Sequence, residues 1–406
     1  MGLLRRRDFQ LLAGSVGVSA LGDWLALVPL SLHIQRTTGS GIAVAALFIG
    51  IWSPAVLLAG ISGLLVDRFE TRRLLAVVSL AQAAIAVALA FTTSTAPILV
   101  LATLLGVGYA LAQPAEFSLV PAVAGSERLS EANGYVETAR YAGFVLGPLL
   151  GGLLAATGGM RTALLVNAVS FAAVAAAAML IRAHRRPAAD EDGEPARARD
   201  GIVYLFRDRL LAIVMAVAFA SLLFMTASVT AEVFFAKDVL DAGDFGYGAL
   251  LTSWTIGMAL GALVLARRFR MTLAGAALVA IVVQSVGLGL PTLWLVFAFA
   301  MVSWFVGGLA HGLKNVLIRT LIHERVPERV HGRAYAAYNG LRNGAELFAM
   351  ACGGLLVVAI GARWTLFLAG LVPAVAGLAG LAVFARQRER DVSGEPVPEP
   401  APAHLD

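Results

Sequence analysis

Apolar residues in this chain come in long runs separated by short polar or basic stretches, at about 10–35, 42–66, 73–93, 97–121, 133–157, 162–182, 209–236, 246–266, 272–290, 293–318, 334–359 and 364–385. A helix of about 20 residues crosses roughly 30 Å of hydrocarbon. Each run reaches that length, so the pattern predicts an all-α membrane protein with twelve transmembrane helices.

Two polar segments interrupt the rhythm. Residues 183–208 mix charges with proline and glycine and read as a cytoplasmic linker between a six-helix bundle over 1–182 and another over 209–386. Residues 387–406, with prolines at 396, 398, 400 and 402, read as a disordered cytoplasmic tail. The halves also repeat: a shift of 202 positions lays Gly106 on Gly308, Gln113 on Asn315, Arg140 on Arg342, and Gly151-Gly152 on Gly353-Gly354.

Composition agrees with the runs. Of 406 residues, 59% are hydrophobic and 14% charged, against about 25% charged in a soluble protein. The net charge of +5 would suit a nucleic-acid partner only if the cations were pooled on one surface. They lie instead in alternate short loops. With both termini in the cytoplasm, 23 of the 31 basic residues fall on the inner side, and only Arg36, Arg161, Lys237 and Arg363 fall outside. That bias predicts a multi-pass membrane protein with an even number of crossings. One cysteine, Cys352, leaves no disulfide or cysteine metal site within a chain. No Gly-x-x-x-x-Gly-Lys-Ser/Thr loop, metal-ligand spacing or nucleophile elbow is present, so no cofactor, no metal and no enzymatic activity are expected.

Two motifs are specific. Gly143-x-x-x-Gly147-Pro148-x-x-Gly151-Gly152 interrupts the fifth run with residues that let a neighbouring helix approach closely. It resembles the fifth-helix antiporter signature of exporters in the major facilitator superfamily. The loop after the second run, Gly63-Leu-Leu-Val-Asp67-Arg68-Phe69-Glu70-Thr71-Arg72-Arg73, resembles that superfamily's loop signature, with Glu70 where a glycine is usual. Leu21-Gly22-Asp23-Trp24 is similar to the first helix of the subgroup of macrolide-efflux and enterobactin-export proteins. The resemblance implies a major facilitator fold of two parallel six-helix repeats around a central cavity. It also implies a cytoplasmic gate, in which Asp67 faces a helix end of the other half and Arg68, Arg72 and Arg73 pair with acids there.

Charged residues inside the runs are candidates for mechanism, because an isolated charge at mid-bilayer costs several kcal/mol. Asp23 and Glu346 are the mid-membrane acids and the proton-coupling candidates. Trp24, Gln113, Glu116, Glu137, Arg140, His311, Lys314, Asn315 and Arg342 are candidates for the substrate cavity. Glu137 with Arg140, and Arg342 with Glu346, have helical pair spacing and can neutralise each other. Lys314 can instead snorkel inward, and a lone helix histidine such as His311 is often a hydrogen-bonded filler. Glu232 falls near the outer end of its run, where it would face external water. Trp24, Phe48, Trp52, Tyr109, Phe117, Phe224, Trp254 and Trp304 can line an apolar cavity.

The expected function is a secondary active transporter, exporting a small hydrophobic or amphipathic, drug-like molecule against inward proton flow. Its partners would be that molecule, protons and the lipid bilayer, with a monomer expected and no nucleic acid. A siderophore or lysophospholipid carrier on the same fold is an alternative. A transport-inactive sensor or scaffold is another, but it has no need of Asp23, Arg140, Arg342 and Glu346 within the bilayer.

Overall fold

The structure, a computed structural model, describes residues 3–183, 208–263, 272–326 and 331–393. The expected linker lies almost wholly outside these residues; of the expected tail, residues 387–393 continue the last helix and the rest lie outside. The fold is all-helical: α1 (Arg7–Thr38), α2 (Gly41–Leu57), α3 (Ala59–Arg68), α4 (Thr71–Ala90), α5 (Thr95–Ala124), α6 (Leu129–Thr157), α7 (Gly159–Leu180), α8 (Arg209–Phe234), α9 (Gly243–Leu263), α10 (Leu273–Gly289), α11 (Phe297–Arg325) and α12 (His331–Ser393).

Among the described residues, nine helices are long and apolar enough to cross a membrane. Three further crossings complete the expected twelve: α2 with α3, α9, and the second limb of α12. The second crossing was expected as one helix over 42–66, yet it breaks at Leu58, whose N–H bonds back to the Pro54 carbonyl. Pro54 removes the ladder bond to Gly50 and crowds the turn before it, one turn ahead of the break at Leu58, where φ and ψ are −100° and 7°. Helix α12 turns back on itself at Gly361, where φ is +79°. Gly39, at +58°, closes α1 in the same left-handed region. Both turns fall on the face opposite the chain ends; the face bearing the ends is called here the terminal face.

The two halves pack as repeats. A Cβ on Gly151 of α6 would sit 2.9 Å from the Leu25 carbonyl of α1, and Gly353 of α12 lies likewise against Ala227 of α8, each residue 202 positions on. One residue further, α6 meets the other half: a Cβ on Gly152 would lie 3.0 Å from the Gly248 Cα of α9. In the matching place, a Cβ on Gly354 would lie 2.9 Å from the Gly41 carbonyl of α2. The motif glycines Gly143 and Gly147 lie against Ala20, Leu21 and Trp24 of α1, within their own half.

Where the halves touch decides which end is closed. One buried cluster joins them near the opposite face, with Leu30, Leu47 and Phe48 packed among Phe235, Tyr247, Leu250, Trp304 and Leu366. Towards the terminal face the core divides. Leu3, Phe9, Leu75 and Leu119 form a cluster within the first half, and Leu211, Met215, Leu278 and Ile322 form one within the second. The polar ties follow the same rule. On the terminal face, Arg6 donates to the Ala124 carbonyl (3.1 Å), Asp8 accepts from the Ala183 amide (2.9 Å), and Arg325 pairs with Asp208 (3.3 Å), each within one half.

Because lipid tails are as apolar as leucine, helix association in a bilayer rests on close packing rather than on removal from water. We therefore expect Gly248→Ala, whose Cβ would press on the Gly152 Cα (3.0 Å) and on the Pro148 carbonyl, to cost about 1–3 kcal/mol. Gly14→Ala, with nothing within 4 Å of its Cβ, should change stability by no more than about 1 kcal/mol. Denaturant unfolding of both variants in detergent checks the contrast; equal shifts would remove the close-approach argument.

Candidate functional site: a segmented cavity between the halves

Four pockets follow one another through the middle of the molecule. Asp23, at the centre of α1, lines a cavity of about 150 Å³ with Trp24, Trp52, Tyr109, Phe144 and Asn167. Trp24 and Trp52 also line the next cavity, about 130 Å³, whose other walls include Phe48, Met225, Glu232, Tyr247, Trp254 and Trp304. Met225 leads on to a third, about 110 Å³, lined by Phe219, His311, Lys314, Asn315, Tyr338, Arg342 and Glu346. Behind Asp23, a pocket of about 20 Å³ gathers Gln82, Gln113, Glu116 and Arg140.

In the first half, one cation serves two acids. Arg140 Nη2 is 3.7 Å from Glu116 Oε2 and its Nε is 3.5 Å from Glu137 Oε1, while its guanidinium lies 4.9 Å from the Phe117 ring centroid. Glu116 is 5% exposed, whereas the Glu137 side chain is at the rim. The expected Glu137–Arg140 pair thus exists, but the deeper ion pair is Glu116–Arg140, which joins α5 to α6. Gln113 donates to the Tyr109 hydroxyl (2.8 Å). Gly22 gives α1 the close contact with Asn167 and Ser170 of α7 that sets Asp23 at the cavity wall.

In the second half, Arg342 donates to Glu346 (2.8 Å), the expected i, i+4 pair. His311 is a hub: Gln284 Oε1 is 3.1 Å from its Nδ1, Asn315 Nδ2 is 3.0 Å from its Nε2, and Lys314 Nζ is 3.4 Å from Nδ1. Trp254 tilts against its ring at 5.6 Å. Asp23 and Glu346 therefore occupy separate pockets, one in each half.

Three expectations change. Glu232 does not face external water; it is buried at 9% exposure in the aromatic cavity, with the Ser228 hydroxyl at 3.5 Å. Its signal was present in the sequence, since Met225, Val229 and Glu232 recur at one helical face. Arg72 and Arg73 were expected to pair with acids of the other half; the contacts seen lie within the first half, Arg72 with Glu70 and the Ile181 carbonyl, and Arg73 Nε 3.3 Å from Glu70. Arg68 is exposed at the end of α3, and the surroundings of Gly63 and the side chain of Asp67 lie outside what is described. Of the cavity aromatics, Phe117 is instead 41% exposed beneath Arg140, and Phe224 packs against the central core. Asn167 went unlisted, though it is a lone amide in the run 162–182 and is 1% exposed.

Above the cavity, the opposite face is fastened by charge. Arg36, just beyond the last buried turn of α1, bonds to Asp244 of α9, which also accepts from Lys237 (2.7 Å); Gln35 donates to Asp238 (3.0 Å). Burial pushes the Asp244 carboxyl up, but hydrogen bonds from Lys237 and Arg36, with their charges, outweigh it and hold the group below the usual carboxylate range.

Two six-helix repeats, closed at one face and enclosing a cavity with charges inside the hydrocarbon, define a membrane carrier of small molecules. A sequence profile of the Major Facilitator Superfamily matches residues 12–345 and 242–405. The chain belongs to that superfamily. It is 24% identical over 392 residues to an uncharacterized MFS-type transporter, YfiS, of Bacillus subtilis (strain 168), covering 92% of each chain. Its fold is similar to the nucleoside transporter NupG (TM-score 0.70, 15% identity, 95% of this chain and 99% of that one). It is also similar to the peptide transporter POT in complex with sulfate (TM-score 0.72, 15% identity, 94% and 95%). A third likeness is to a bacterial homolog of the human lysosomal transporter Spinster in an inward-facing, unoccupied conformation (TM-score 0.69, 14% identity, 97% and 100%).

A lowered carboxyl pKa contributes stability that is full above the ordinary aspartate value and is lost as pH falls from that value through the group's own, lower one. The Arg36–Asp244–Lys237 cluster should accordingly loosen below about pH 4. Spin labels at Thr38 and Phe245, in a Cys352→Ser background, should separate on acidification. In Asp244→Asn they should be apart at every pH; labels that stay together in the variant would show that helix packing alone holds this face.

Proposed function

We propose that the chain is a proton-coupled secondary transporter that exports a small hydrophobic or amphipathic molecule by alternating access, from a bacterial inner membrane with both termini in the cytoplasm. The bundles over 1–182 and 209–386 rock against each other about the contacts at Gly152–Gly248 and Gly41–Gly354. The observation that carries this reading is the placing of Asp23: a carboxyl at the centre of α1, on the wall of the cavity between the halves, next to the Glu116–Arg140 pair. A buried acid beside a movable ion pair can bind a proton when the cavity faces one side and release it when it faces the other. Glu346 with Arg342 is the counterpart in the second half.

With the terminal face cytoplasmic, the arrangement is inward-facing. The loop from Asp67 to Arg73 is then the half of a cytoplasmic gate that engages when the terminal face closes, and Arg72 and Arg73 rest on Glu70 until it does.

Coupling and rocking separate experimentally. Cargo is first found by thermal-shift screening of the purified protein against drugs, siderophores and lysolipids, since a ligand of the folded state raises its stability. In proteoliposomes, Asp23→Asn should then abolish accumulation driven by a pH gradient and keep downhill exchange of the same cargo, with Glu346→Gln the second variant to do so. Uphill accumulation by Asp23→Asn at the parent rate would sink the coupling role.

A further inference from the structure

Lys314 is the most deeply buried charged residue among the described residues. Its side chain is 3% exposed, and among the described residues no carboxylate lies within 4.0 Å of its ammonium; His311 Nδ1, at 3.4 Å, is its recorded contact. Glu346, the acid of the same pocket, is engaged by Arg342 at 2.8 Å. The pocket therefore holds two cations and one anion. An ammonium buried without a counter-ion is costly, and such groups in membrane interiors mark the route of a ligand. The Lys314 side chain is buried in the pocket rather than extended to a rim, unlike that of Arg342, so it does not snorkel.

The surroundings specify what would fit. Asn315 and Arg342 add donors beside the ammonium, while Phe219, Leu222 and Ile318 supply an apolar wall, and Met225 opens to the tryptophan-lined cavity. We propose that this pocket takes the anionic group of an amphipathic organic anion, a carboxylate or phosphate on an apolar body, with Lys314 as its counter-charge and the body lying past Met225 towards Trp254. Glu232 does not argue for a cation in its place, since it lies in the neighbouring cavity. This names the cargo class of the transporter proposed above and rests on the cavity being its route.

The test compares three probes of one shape, 1-naphthoate, 1-naphthylmethanol and 1-naphthylmethylammonium, by isothermal titration of the full chain in phosphatidylcholine nanodiscs. Naphthoate should bind at least about tenfold tighter than the alcohol, the range of one charge-assisted hydrogen bond. Lys314→Gln should erase that preference without weakening the alcohol, and Glu346→Gln should increase it. The parent's own ranking stands whether or not Lys314→Gln folds. Added phosphatidylglycerol that competes with naphthoate would identify a lipid phosphate as the occupant, and absence of competition a free anion. Naphthoate binding no better than the alcohol, tightest binding of the ammonium, or a preference surviving in Lys314→Gln would each overturn the assignment. Those failures would leave gradient-driven transport and its dependence on Asp23 intact, whereas loss of all transport in the parent would fell the carrier reading itself.

Discussion

The approach of backbone to backbone at a few small residues is the constraint on which the rest depends. At Gly152–Gly248 and Gly41–Gly354 the halves come close enough that a single methyl group would collide with main-chain atoms, which cannot swing aside as a side chain can. Without water to drive apolar surfaces together, such contacts and the ion cluster at Asp244 must supply the cohesion between halves. Both lie towards one face. The core is accordingly continuous there and divided in two at the other, and the cavity opens where cohesion ends.

Within that frame the charges fall into two kinds. Arg140 with Glu116 and Glu137, and Arg342 with Glu346, are paired inside a single half, so each bundle can move as a body without breaking its own ion pairs. Arg36–Asp244 and Gln35–Asp238 join different halves and must part if the opposite face is to open. They sit where water can replace each lost partner, which makes their separation far cheaper than it would be at mid-membrane.

Much of this was legible beforehand. Runs of apolar residues long enough to span, the loop arginines and the 202-residue repeat each reflect local rules, and the twelve crossings followed from them. Arg342 and Glu346 could be paired because helix geometry alone brings i and i+4 together. Glu116–Arg140 could not, since it depends on how α5 lies against α6. Glu232 was misplaced for a related reason: distance along a helix gives depth, whereas burial depends on which neighbours cover that face. The break at Leu58 was hidden by an unbroken apolar run.

The turns at Gly39 and Gly361 have a practical consequence. At these two turns successive helices are joined by very little chain, at Gly361 by a single left-handed residue, so almost no flexible peptide is offered there to a protease or an antibody. The longest connection, between Leu180 and Arg209, lies on the terminal face. Protein inserted into vesicles in either direction can thus be told apart by trypsin added outside: only molecules with the terminal face outward should be cut between the halves. Epitope tags or fusion partners belong on that face, because an insertion at Gly39 or Gly361 would have to unwind a helix to be accommodated.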